Sequence, residues 1–172
     1  MRYLTCSEIV ESSCAGLKDC REFIKALPAG TYSSFGPHAR HVLDFYGCFI
    51  RDVPSNYFGM SCVNFVKRNR DRNIEKVPYF ALESIDRIVD QLGEYGSRDS
   101  FEEIEFIDDF GCGERKISST MGAVLHKLWD HAIHHYGIMR VIALERMIEL
   151  PNQDFGIHPS TIKHVHFTGK RD

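Results

Sequence analysis

The chain has 172 residues and a mass of 19.8 kDa, and its 43% hydrophobic residues are enough to bury one substantial core. The net charge of −3 and pI near 6.3 come without a dominant basic block, which leaves no compositional footing for nucleic-acid binding. No stretch approaches the roughly twenty apolar residues of a membrane span, and the opening MRYLTCSEIVESS lacks the apolar run of a secretory signal. The expectation is a single cytoplasmic domain over 1–172, with 151–172 as its C-terminal tail.

From Cys6 to Leu27, apolar or small residues recur at 6, 10, 13, 17, 20, 24 and 27. That alternating spacing predicts an amphipathic helix with one packing seam, ended by Pro28, Ala29 and Gly30. A second helix is predicted from about Gly36 to Arg51, stopped before Pro54. Ser55 to Glu75 reads as irregular, ending in the charged run KRNRDRNIEK. Pro78 suits the first turn of a third helix, whose apolar positions Ala81, Leu82, Ile85, Ile88, Val89 and Leu92 precede Gly93. Around DDFGCGE the rhythm changes, and the flanking Glu105–Ile107 and Arg115–Ile117 predict a small hairpin.

Ser118 to Ile148 runs about thirty residues without proline, with Ser118, Ser119 and Thr120 as candidate N-caps. It predicts one long helix, ended by Pro151, and the tail beyond shows no period. These elements predict an all-α four-helix bundle with a small β-hairpin insertion before the last helix. Six cysteines lie at 6, 14, 20, 48, 62 and 112, none paired as CxxC, and read as reduced thiols. Cys112, between two glycines, is expected at an exposed loop tip.

The long last helix holds four of the nine histidines. At about 100° per residue, His131 and His135 lie within roughly 40° of each other, on a stripe with Val124, Leu128, Ile138 and Ile142. Two imidazoles one turn apart on an apolar stripe need partners for their nitrogens, and a metal ion suits both. The zinc-protease pattern HExxH fails here, because Ala132 stands where the acid should follow the first histidine. On the second helix, His41 shares a stripe with Phe45, Cys48 and Phe49. His38 is the competing third ligand, and His41 is preferred because its apolar companions continue down the helix. Asp44 is a candidate acceptor for an imidazole N–H. His134 falls some 60° off the stripe. Arg68 and Arg70, in the charged run, are candidates for the mouth of the site. His158, His164 and His166 lie in the tail, within possible reach of that mouth.

HVLDFY on the second helix, taken with DHAIHHYGIMR on the last, resembles the DinB-like (DinB/YfiT) superfamily. VNFVKRNRDRNIE, SSTMGAVLHKLWDHAIHH and DFGIHPST extend the likeness over nearly the whole chain. The resemblance implies a four-helix bundle holding one divalent metal, nickel, zinc or manganese, on His41, His131 and His135. It implies a metal-dependent enzyme acting on a small molecule, most readily a transferase using a low-molecular-weight thiol, and pairing as a homodimer. Where many relatives carry Gln near position 138, this chain has Gly137, Ile138 and Met139, so no particular substrate carries over. A metal-dependent hydrolase and a non-catalytic metal-binding bundle are the alternatives. No nucleic-acid or membrane partner is expected.

Overall fold

Thr5 starts the first helix with a reciprocal cap. Its hydroxyl accepts from the Glu8 N–H at 3.3 Å, while the Glu8 carboxylate accepts from the Thr5 N–H at 3.0 Å. Helix α1 then runs Cys6–Ala26 and buries Cys6, Val10, Ser13, Leu17, Cys20 and Ile24, the seam that the spacing predicts. The computed structural model describes residues 2–56 and 59–168, the side chains of 165–168 excepted.

Helix α2 spans Gly36–Asp52, with Pro37 in its first turn. A Cβ at Gly36 would sit 1.9 Å from the Glu75 carbonyl oxygen, so only glycine lets this helix begin flush against that backbone. Helix α3 is a single short element, Arg72–Lys76, capped by the Asp71 carboxylate on the Asn73 N–H at 2.8 Å. Helix α4 spans Pro78–Leu92 as expected, and α5 spans Met121–Glu145. Of the three candidate caps, Thr120 is the one used, accepting from the Ala123 N–H at 3.3 Å, while Ser118 and Ser119 belong to a strand. Helix α6, Pro159–Thr168, follows in the tail.

Among the described residues there are three strands: β1 Ser61–Asn64, β2 Glu103–Asp109 and β3 Glu114–Thr120. The order is β1-β2-β3, with β1 parallel to β2 (Val63 opposite Phe106) and β2 antiparallel to β3 (Phe106 opposite Ile117). The four long helices pack pairwise, α1 and α2 each against α4 and α5. Their core is aromatic-rich, with Phe23, Phe35, Tyr46, Phe49, Tyr136 and Phe155 buried.

The fold is therefore not an all-α four-helix bundle with a hairpin insertion. It is a mixed fold, 59% helical and 11% strand, with six α-helices and a three-stranded mixed sheet among the described residues. The expected hairpin exists as β2 and β3, but a third strand joins it from the segment predicted to be irregular. Four residues, SCVN, are too few to show alternation, and β1 forms only because β2 offers it a ladder some forty residues later. Helix α6 was equally hidden, since the tail shows no apolar period. No helix among the described residues is long and apolar enough to cross a membrane.

Candidate metal centre

Packing of α2 on α5 brings His41 to His131 and His135. One nitrogen from each lies within 4.8 Å of the others, and all three rings are half-buried. Ring centroids are 5.0 Å apart for His41–His131, 4.6 Å for His41–His135 and 4.7 Å for His131–His135. The deep stripe of α5 is Val124, Leu128, Ala132, Tyr136, Met139 and Ala143, with Ile138 and Ile142 only partly buried. His131 and His135 stand at the edge of that stripe, facing α2.

Burial, and then the neighbouring positive charge, holds all three imidazoles neutral. His41 is lowered from the ordinary 6.5 to about 4 by burial first, then by His131 and Arg68. His131 falls to about 4 through burial and Lys127, and His135 to about 3 through burial and the other two rings of the trio. Neutral rings keep a lone pair for an ion. The Nε2 of His131 is buried with no hydrogen-bond partner among the described residues, a costly state for a polar atom unless something binds it. Three convergent imidazoles, one of them with an orphaned nitrogen, fit a divalent ion; the group can hold one.

His38 is brought to the same place without joining the trio. Its Nδ1 lies 3.1 Å from His135 Nδ1. Asp44 goes elsewhere. It accepts from Arg40 Nη1 at 2.7 Å and from the Arg70 N–H at 3.2 Å, so it anchors the 66–71 loop to α2 rather than orienting an imidazole. Its place three residues after His41 turns it about 60° away from the ligand face. Arg70 meets Asp44 through its backbone, at a positive φ of 53°, and its side chain is exposed. Arg68 does reach the site: its guanidinium lies 5.2 Å from the centroid of Phe45, whose ring stacks on His131 at 4.2 Å. His134 is exposed, with its ring 5.3 Å from that of His135.

The sheet supplies what the helical pattern did not. Phe65, just after β1, donates its N–H to the Ile107 carbonyl at 3.0 Å and stacks on Phe45 at 5.1 Å. Phe106 of β2 lies 5.8 Å from Phe65, so an aromatic wall runs from His131 out to the sheet. Lys127 sits over both phenyl rings and pairs with Asp108 at 3.1 Å. Its spacing of four before His131 was the one sequence signal that could have placed it here. His158 packs on Trp129 at 5.2 Å and bonds Ser160, and His126 is exposed beside the same tryptophan. The side chain of His166 lies outside the described residues. Cys112 is exposed between Gly111 and Gly113, which take φ of 83° and 85° in the hairpin loop.

No family model and no solved structure matches this chain. Among curated proteins it is similar to FK506-binding protein 5 of Rhizopus delemar, 29% identical over 110 residues, which make up 62% of this chain and 28% of that protein. The chain thus spans well under a third of the length of that relative.

Proposed function

We propose that this chain is a metal-dependent enzyme acting on small molecules, of the DinB-like kind it resembles, and that it transfers a low-molecular-weight thiol to an electrophile. The observation that carries this reading is the buried, partnerless Nε2 of His131 within the trio. Imidazole nitrogens suit zinc or nickel better than manganese, which favours carboxylate and water oxygens. With three protein nitrogens, a bound ion keeps at least one position for a substrate and supplies Lewis-acid stabilisation of a sulfur or oxygen anion there. Phe45, Phe65 and Phe106 form an apolar wall beside His131, which excludes water and offers a surface to the body of an electrophile. Arg68 and Lys127 add positive charge next to it, which favours an anionic nucleophile over its neutral form.

A second reading, a closed and non-catalytic metal site, has one observation in its favour. The 3.1 Å between His38 Nδ1 and His135 Nδ1 is near the ~3.3 Å that separates two tetrahedral ligands held about 2.0–2.1 Å from zinc. A hydrolase would use the same open position as a transferase, and thiol dependence separates the two.

The test is metal content by mass spectrometry on untagged protein, wild type beside His131→Ala. About one equivalent of zinc or nickel in the wild type, lost in the variant, is the expected result. Absence of metal from both, after reconstitution with nickel, zinc and manganese, would overturn the ligand assignment. Metal-loaded protein is then assayed with thiols and electrophiles. Product that forms without thiol would replace the transferase with a hydrolase.

A further inference from the structure

Beside the metal centre, further round α2, lies an open cavity of about 590 Å³ lined by α2, α4 and the 67–74 segment. From α2 it takes Leu43, Asp44, Gly47, Cys48, Ile50 and Arg51, a face centred roughly 100° around the helix from His41. Its volume suits a small organic molecule. Its charge is unbalanced. Arg51, Lys67, Arg68 and Arg87 line it against a single carboxylate, Asp44. Asp44 is already committed to Arg40 and the Arg70 N–H, and Arg51 to Asp52 at 2.7 Å. Lys67, Arg68 and Arg87 form no ion pair among the described residues.

Three cations without an ion pair, from two separate elements, thus border one concave space, an arrangement that favours a bound anion. The Nε of Arg68 is also buried without an acceptor among the described residues, so this arginine has hydrogen-bonding capacity left unmet there. Ser84, Asn69 and Gln91 add neutral donors, and Ile74 and Ile88 add an apolar side.

We propose that this cavity binds a small organic anion bearing a phosphate or paired carboxylates, clamped between Arg68 and Arg87, with its apolar part against Ile74 and Ile88. Arginine forks match the oxygen pairs of both groups, which is why either chemistry fits. The cavity adjoins the metal centre but does not rest on the proposed reaction. Arg68, which touches both the cavity and the Phe45 wall, is the side chain that links the two.

The test is calorimetric titration of the full chain, metal-loaded and metal-stripped, with phenyl phosphate and with citrate. Saturable one-to-one binding of at least one probe is expected in both metal states, with affinity reduced about tenfold or more in Arg87→Gln. Arg87 is exposed and outside the trio, so the variant should unfold at the wild-type temperature and hold the same metal. Arg115→Gln, on the exposed hairpin, should bind as the wild type does. The proposal is overturned if neither probe saturates, or if Arg87→Gln binds unchanged. Binding that disappears with the metal but survives Arg87→Gln would place the anion on the metal, and also overturns it.

Discussion

The Nδ1 atoms of His38 and His135 stand 3.1 Å apart, so two imidazoles from different helices share one proton or one ion between them. If they share a proton, only one tautomer pair leaves His135 Nε2 free to bind metal: His135 carries the proton on Nδ1 and donates it to His38. His38 then fixes the ring orientation of a metal ligand. His38→Ala is expected to lower metal affinity about 10–100-fold while one equivalent still binds at high metal concentration. Metal titration against a competing chelator measures this. Unchanged affinity would remove His38 from the site, and a variant that gains thiol reactivity would show that His38 had been closing it.

Acid should destabilise the metal-free protein over a defined range. His41, His131 and His135 lie at about 4, 4 and 3 when folded, against an ordinary 6.5. Below pH 6.5 the unfolded chain therefore binds more protons than the folded one, and stability falls as the pH drops toward about 3, the lowest of the folded values. Above 6.5 these three groups contribute no slope. Urea midpoints of metal-free protein at several pH values, wild type beside His131→Ala, check this. A slope as steep in the variant would move the acid sensitivity to other groups.

Gly156 closes the tail onto α5. It takes φ of 73°, and a Cβ there would sit 2.4 Å from the Tyr136 carbonyl oxygen and 2.8 Å from the Gly137 nitrogen. Gly156→Ala combines backbone strain with a clash against helix backbone, and should cost about 3 kcal/mol or more. Gly30→Ala is the control: its φ is 81°, but nothing lies within 4 Å, so the strain alone of about 1–2 kcal/mol applies. Denaturant unfolding of both variants compares them. Equal losses would mean that the tail yields freely.

Asp44→Ala should destabilise the fold by about 3 kcal/mol, because it leaves the largely buried Arg40 guanidinium with one carboxylate partner in place of two. The Arg70 N–H loses its acceptor in the same change. Metal affinity should move little, since Asp44 touches none of the trio. A loss of metal as large as in His131→Ala would restore Asp44 to the role of orienting an imidazole.

The sequence alone determined the elements that carry their own periodicity. The seam of α1, the first-turn proline of α4 and the two histidines one turn apart on α5 are local patterns, fixed by helical geometry within a few residues. The pairing of His41 with them was also legible, because its apolar stripe marks the face that α2 must bury. What only the tertiary structure decided are relations between distant segments. Strand β1 has too few residues to declare itself and exists through its ladder with β2. Asp44 was drawn to Arg40 and the Arg70 backbone because a close cation and an N–H donor outcompete an imidazole that never comes near. The aromatic wall of Phe45, Phe65 and Phe106, and the four cations around one cavity, come from separate elements whose meeting no local spacing encodes. Side-chain period reports which way a residue faces, and packing alone decides what it meets there.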